Sequence, residues 1–167
     1  MSNMLIPTIS EVVRCIGDCV DKTIAPALTR QSERSAVATV RHLLRLIEHR
    51  VRDEGQVLWD DAKALRALLP QAVAYLESVS DASGLAGRIR ASLAQQRDPD
   101  VYPSLDLLAA EVAALRGHVS ETLKILLAPG RVGGDALHAS IREYITWQIA
   151  QEGKVVEPAF RGHGPRR

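Results

Sequence analysis

The sequence predicts an all-α protein, an antiparallel helical bundle of four long helices plus one or two short ones. Three observations predict this fold class. Apolar residues recur at steps of three and four through most of the 167 residues, which is the period of an amphipathic helix. Aromatic residues make up only 4% of the chain, whereas a β-sandwich core relies on aromatic and β-branched side chains. Short connections separate the periodic segments, as in antiparallel bundles.

The first helix is predicted from Thr8 to about Leu28. Thr8 and Glu11 have the spacing of a capping box, in which the hydroxyl and the carboxylate satisfy backbone N–H groups. Pro26 is expected to kink or end the helix, because proline lacks an N–H and clashes with the preceding turn. One apolar stripe is expected to be buried along this helix: Ile9, Val13, Ile16, Val20 and Ile24.

The second helix is predicted at 32–53 and has the cleanest pattern of the chain. Gly55 is expected to end it, since glycine is favoured just after a helix. The stripe expected to be buried consists of Val37, Val40, Leu44, Ile47 and Val51, flanked by Ala36 and Leu43.

A third helical segment is predicted at 57–78. Pro70 lies inside it, so we expect either a kink or two short helices that meet at Leu69. The neighbouring acids Asp60 and Asp61 are interpreted as charges at the helix N-terminus that complement its dipole.

A short fourth helix is predicted through Leu85, Ile89 and Leu93, followed by a loop at 96–103 with two prolines. Ser104 is the expected N-cap of a fifth helix that runs to about Leu127.

The last helix is predicted to begin with Asp135 as its N-cap and to stop at Gly153. The resulting domain prediction is one helical bundle over 1–152 and an extended basic C-terminal tail over 153–167.

Composition excludes several classes of protein. The net charge of +1 gives no basic excess of the kind that duplex binders carry, so a nucleic-acid partner is not expected. No run of about 18 apolar residues indicates a membrane span, and the first residues lack the pattern of a secretory signal. Cys15 and Cys19 are interpreted as reduced core residues, which predicts a cytoplasmic protein. The Arg- and Ala-rich composition is typical of a GC-rich bacterial genome.

A metal site is an alternative for this fold class, because helical bundles hold di-metal centres through Glu and Glu-x-x-His groups. No Glu precedes a His by three residues here, so no metal and no cofactor are predicted. His138 is the one histidine expected to point inward. His138, His118 and Glu111 are therefore the candidates for the alternative function, a ligand- or metal-binding bundle.

No spacing suggests a Ser/His/Asp or Cys/His/Asn arrangement, so catalytic residues are not predicted. The remaining feature is a row of basic residues expected on the outer face of the second helix, opposite its apolar stripe. An arginine row with nearby histidines suits an acidic or phosphate-bearing partner. The candidate partner-binding residues are Arg41, Arg45, His49 and Arg52.

The segments ISEVVRCIGDCVDKTIAPAL and AVATVRHLLRLIEHRV resemble, over about 9–70, the opening of a family of small all-helical proteins. Members of that family are encoded beside aminoglycoside-phosphotransferase-like kinases and acyl-CoA dehydrogenases, and some act as the accessory subunit of a hydroxyacyl-CoA kinase. The chain departs from the family pattern at His42, where an Asn is expected, and at His49-Arg50, where Arg-Glu is expected.

The resemblance implies a partner subunit. We therefore expect a non-catalytic helical protein that acts by protein–protein interaction, either as an accessory subunit of an acyl-CoA or hydroxy-acid metabolic enzyme or through self-association as a homo-oligomer.

Overall fold

The structure is a computed structural model that describes residues 7–79, 82–95, 101–129 and 133–160. The predicted all-α helical bundle is confirmed, and no strand occurs among these residues. The helical elements are α1 (Ile9–Cys19), a π-helical turn (Val20–Ile24), α2 (Ala25–Ala27), α3 (Gln31–Glu77), α4 (Ser83–Ala94), α5 (Leu105–Leu126) and α6 (Asp135–Phe160). Within the described residues, no helix combines the length and apolar character that crossing a bilayer requires.

Backbone contacts divide the chain into two units. The hairpin unit comprises Met1–Glu54 and Glu152–Arg167, and the core unit comprises Gly55–Gln151. Helices α3 and α6 contribute residues to both units. That residues 1–152 form a single domain stays a prediction.

The start of α1 is built as the sequence predicts. The Thr8 hydroxyl accepts a hydrogen bond from the Glu11 N–H at 3.3 Å, and the Thr8 N–H donates to a Glu11 carboxylate oxygen at 2.7 Å. Both halves of the capping box are therefore present, and they satisfy backbone groups that an uncapped helix would leave without a partner.

The end of this first helical segment shows how the chain accommodates Pro26. A π turn precedes the proline, and in it the Ala25 N–H bonds the Val20 carbonyl, five residues back. Such a turn contains about one residue more than an α turn. The helix then stops at Ala27, and Leu28 is extended. The predicted kink or stop at Pro26 thus takes the form of a widened turn followed by a stop.

The predicted stop at Gly55 is wrong, because α3 runs through it as one helix of 47 residues. Of the two alternatives at Pro70, two short helices that meet at Leu69 are excluded, and the kink stays a prediction. A glycine inside a helix costs about 1 kcal/mol, but the bare backbone of Gly55 lets other groups approach. The Tyr102 hydroxyl and a Leu105 methyl lie 3.2 and 3.5 Å from the position that a Cβ would occupy. Around Pro70, the burial of Leu69 and its neighbours outweighs the one backbone hydrogen bond that proline cannot make.

The C-terminal prediction is also corrected, because Gly153 does not end α6. The helix continues to Phe160, so residues 153–160 are not extended. Val155 is buried, and this burial offsets the cost of a glycine two residues earlier. The remainder of the predicted basic tail, 161–167, lies outside the described residues.

The first turn of α6 also differs in detail from the prediction. Asp135 is the first residue of the helix and not its cap. The carbonyl of Gly134 accepts the first helical bond, from the His138 N–H at 2.9 Å. Gly133 has φ +88°, a backbone conformation that glycine adopts without strain.

The core unit packs the second half of α3 with α4, α5 and the first part of α6. Polar contacts show that α3 and α5 are antiparallel, because Arg66 bonds Glu111 while Asp61, earlier in α3, bonds Arg116, later in α5. The Ser104 N-cap of α5 is confirmed. The side chains that are buried together are almost all aliphatic: Ala62, Leu65, Leu68, Leu69, Ala72, Val73, Leu76, Ala82, Leu85, Ala86, Ile89, Val112, Leu115, Val119, Leu137, Ile141 and Tyr144.

In the hairpin unit, α1 packs antiparallel to the first half of α3. Arg14 bonds Glu48 at 3.2 Å, and Asp21, in the π-helical turn after α1, accepts a bond from Arg41, earlier in α3, at 3.1 Å. These two cross-helix ion pairs show which residues of the two helices lie level with each other.

Candidate interaction surface

The hairpin unit exposes an apolar surface that we call the hairpin face. It consists of aliphatic side chains of which 40% to 64% of the surface is accessible: Ile9, Val12, Ile16, Ile24, Val40, Leu43, Ile47 and Val51. None of the residues carries a charge.

The hairpin face corrects the predicted burial of both stripes. On the first helical segment only Val13 and Val20 of the predicted stripe are buried, and on α3 Val40, Ile47 and Val51 are exposed. Leu44 and Val37 are half-buried. The helical periods are as predicted, but within this unit most of the apolar residues have no protein layer above them.

Helix geometry shows that the two stripes lie on one side of the hairpin. Helix α1 meets α3 through the side that carries Val13, Gly17 and Asp21, and α3 meets α1 through Leu44 and Glu48. On each helix, at about 100° per residue, the exposed stripe precedes this meeting side by roughly 100°. Because the helices run antiparallel, the same rotation turns both stripes toward the same side.

The stripes also lie at the same height along the hairpin. The pairs Arg14–Glu48 and Asp21–Arg41 bracket the middle of the unit. Ile16, near the centre of the α1 stripe, therefore lies level with Ile47 of the α3 stripe. The result is one continuous apolar face two helices wide.

The predicted basic row does not lie on one outer face. Arg41 and Arg45 line the cleft of about 140 Å3 between α1 and α3. Arg41 is paired with Asp21 there, and Arg45 donates toward the His42 ring at 3.2 Å. His49 is half-buried, and Arg52 is exposed. Of the four predicted partner-binding residues, Arg41 is thus bound across the hairpin, and Arg45 contacts a neighbour on its own helix.

Arg45 is only partly satisfied in this cleft. Its Nε is buried without a hydrogen-bond partner among the described residues. The cleft walls carry both charges, with Arg14 and Arg41 facing Asp18, Asp21 and Glu48. The local field is therefore mixed, which suits a structural ion-pair cluster better than an anion site.

Two of the three candidate metal ligands are engaged with other side chains. Glu111 accepts a bond from Arg66 at 2.8 Å, and His118 Nε2 lies 2.9 Å from the Ser92 hydroxyl. His138 is half-buried in the first turn of α6, so the prediction that it points inward holds only in part. Among the described residues, no three His, Cys, Asp or Glu side chains gather in a way that could hold a metal ion.

Asp61 is the polar residue whose role the sequence analysis missed. It is 2% exposed and lies in the interior of α3, not at a helix N-terminus. Arg116 of α5 pairs with it at 2.6 Å, and the Tyr144 hydroxyl of α6 donates to it at 2.7 Å. Burial, and then the bond to Asp61, raise the pKa of Tyr144 well above its usual range.

The interpretation of the two cysteines as core residues is wrong. Cys15 and Cys19 are free and exposed. They lie one turn apart on α1, on the surface of the helix that points away from α3. Helix geometry keeps their thiols from bonding each other, because side chains four residues apart point in parallel along the helix.

Comparison of the chain with family models, curated proteins and solved structures found no match.

Proposed function

We propose that this chain is a non-catalytic helical protein that acts through protein–protein interaction, with the hairpin face as its contact surface. Its place, on the family resemblance of residues 9–70, is that of an accessory subunit of an enzyme in acyl-CoA or hydroxy-acid metabolism. The observation that carries the proposed interaction role is the exposed hairpin face.

The size and chemistry of the hairpin face support an interaction role. Monomeric proteins rarely expose contiguous apolar patches larger than a few hundred Å2, and larger ones mark interaction sites. Here eight aliphatic side chains, each about half exposed, stand together on one side of two helices. Covering each of them is worth roughly 1 kcal/mol, about half of the value for complete burial.

The ion pairs around the hairpin face support the same reading. Arg14, Arg41 and their acidic partners line the cleft between the helices and not the hairpin face. The charged side chains that pair within the hairpin therefore leave the apolar side of both helices uncovered.

The test compares the full-length protein with two matched variants. Leu43→Glu places a carboxylate on the hairpin face at a side chain that is 52% exposed, and Leu107→Glu makes the same change on α5 at a side chain that is 65% exposed. Tagged versions are purified from the native host, bound proteins are identified by mass spectrometry, and each is purified and rebound to measure stoichiometry and Kd.

The expected result is a partner, either a host protein or a second copy of the chain, that binds the wild type and Leu107→Glu at fixed stoichiometry and is lost from Leu43→Glu. An enzyme that acts on acyl-CoA or hydroxy-acid substrates, bound in this way, supports the accessory-subunit role. A wild type that binds neither itself nor any host protein overturns the proposal, as does a partner that Leu43→Glu retains fully.

A further inference from the structure

We propose that the occupant of the hairpin face is a second copy of this chain, which docks its own hairpin face to complete an antiparallel four-helix bundle. The inference rests on the proposed function and names the partner. It commits to this occupant on three grounds: the shape of the hairpin face, its charge and its area.

The hairpin has the form of half a four-helix bundle. In such bundles each helix turns a stripe with steps of three and four toward a common core. The exposed residues follow these steps, at Ile9, Val12 and Ile16 on α1 and at Val40, Leu43 and Ile47 on α3. One hairpin supplies two of the four helices, and the layer that it lacks is another pair of the same kind.

The hairpin face is compatible with two-fold symmetry. An isologous contact requires that one surface be complementary to itself. Ile16 and Ile47, at the middle of the two stripes, lie level with each other. A two-fold axis at this height therefore places the aliphatic stripes of one copy against those of the other along their whole length.

Charge does not oppose the pairing of two copies. Residues 9–54 carry eight Lys or Arg and seven Asp or Glu. Several of these are paired within the hairpin, as in Lys22–Asp18 and Arg50–Glu54. Two copies therefore meet with little net repulsion. Arg50 and Glu54 share the side of α3 that carries Ile47 and Val51, and they pair with each other.

The area of the hairpin face is of the order that a dimer needs. From Ile9 to Ile24 the helical rise covers roughly 22 Å, and two packed helices are roughly 20 Å wide. The flat outline, without the relief of the side chains, is about 450 Å2, which is more than half of the ~800 Å2 per partner of a standard interface. Interfaces between identical subunits are also the more apolar class.

The experiment measures the mass of the full chain by sedimentation equilibrium over a range of concentrations. We expect twice the 18.2 kDa of the chain at high concentration and dissociation on dilution. Leu43→Glu and, separately, Ile16→Glu are expected to raise the dimer dissociation constant roughly hundredfold or more, because each buries a carboxylate in an aliphatic contact. Leu107→Glu is expected to leave it unchanged.

Far-ultraviolet circular dichroism on each variant checks that the helices are retained. The wild-type mass decides even if a variant fails to fold, because a wild type that stays monomeric at every concentration overturns the inference. A dimer that both hairpin-face variants retain overturns it too. A monomer whose hairpin face binds a different protein, and loses it in Leu43→Glu, refutes the second copy while the proposed function stands.

Discussion

Asp61 joins three helices of the core unit through one buried carboxylate. One of its oxygens accepts a hydrogen bond from Arg116 of α5, and the other accepts one from the Tyr144 hydroxyl of α6. A buried carboxylate without such partners would be strongly destabilising. The network therefore determines which faces of α5 and α6 pack against α3. The aliphatic side chains around it are less specific, because one apolar contact can replace another.

The raised pKa of Tyr144 gives the stability a specific dependence on pH. Unfolded tyrosine titrates near pH 10, whereas the folded protein holds the Tyr144 proton to higher pH. The unfolded state thus loses a proton first, so this contribution is complete below about pH 10 and is lost as the pH rises further. We expect the free energy of unfolding, measured with urea, to fall more steeply between about pH 9 and pH 11 in the wild type than in Tyr144→Phe.

At neutral pH Tyr144→Phe itself is expected to cost about 1–3 kcal/mol, because Asp61 loses a hydrogen bond in a buried site. Equal slopes for both proteins above pH 10 would show that the hydroxyl is not held by Asp61.

The sequence contains a signal for Asp61 that the sequence analysis did not use. Asp61 lies three residues after Leu58 and four before Leu65, so it is in phase with the apolar stripe of the segment. An acid in such a stripe indicates a buried, paired charge. The expected stop at Gly55 concealed this, because it placed Asp60 and Asp61 in the first turn of a new helix, where acids are normal.

Helix α3 shows why local stop signals failed in this chain. Glycine and proline lower the stability of an isolated helix, but in a packed helix the tertiary contacts decide. Gly55 lies under Tyr102 and Leu105, and Pro70 directly follows the buried Leu68 and Leu69. The helical period was therefore the sound part of the prediction, and the ends of the helices were the part that depended on contacts invisible in the sequence.

The glycines within helices differ in what surrounds them, and this predicts opposite responses to alanine. At Gly117 in α5 an added Cβ meets nothing within 4 Å, whereas at Gly55 it meets the Tyr102 hydroxyl at 3.2 Å. Gly117→Ala is expected to stabilise the protein by about 0.5–1 kcal/mol, because alanine loses less backbone entropy in a helix. Gly55→Ala is expected to gain less, or to destabilise.

Thermal unfolding followed by circular dichroism compares the two variants with the wild type. A Tm for Gly117→Ala at or below that of Gly55→Ala would contradict the view that α5 is solvent-facing at this position and that α3 is closely covered at the other.

The two units differ in how much apolar surface they bury within one chain. The core unit contains the aliphatic cluster around Leu65, Leu69 and Ile89, whereas Val13 and Val20 are the buried residues of the first helical segment. Since burial supplies most of the stability of a helical protein, the hairpin unit of a single chain is the weaker part.

This difference predicts separate unfolding transitions at low protein concentration. Both tryptophans of the chain, Trp59 and Trp147, belong to the core unit. In denaturant, helix content measured by circular dichroism is expected to begin to fall before tryptophan fluorescence changes. Raising the concentration is expected to bring the transitions together, because association stabilises the hairpin unit. Curves that coincide at every concentration would contradict unequal stabilities.

At the scale of the whole molecule, the sequence predicts which residues form apolar faces but not what covers them. The stripe around Val40 and Ile47 has the same periodicity as the stripe around Leu65 and Leu69. One is exposed in the single chain and the other is fully enclosed. A periodic pattern reports only that a face avoids water, so it predicts the bundle correctly while leaving open whether the same chain or another one supplies the cover.

The π turn at Val20–Ile24 has a consequence for how this chain tolerates insertions and deletions. A π turn is the form that one additional residue takes within an α-helix. In an ordinary α-helix of the same length, Ile24 would stand about 80° from Ile16, whereas the π turn takes up about one residue step and brings it to within roughly 20°. Removing one residue from VDKTI would leave Ile24 seven positions after Ile16, again within roughly 20° in a continuous α-helix. Deletion of Thr23 is therefore expected to convert the turn to α-helix and keep both side chains on one side, whereas insertion of a further residue is expected to rotate Ile24 away from it.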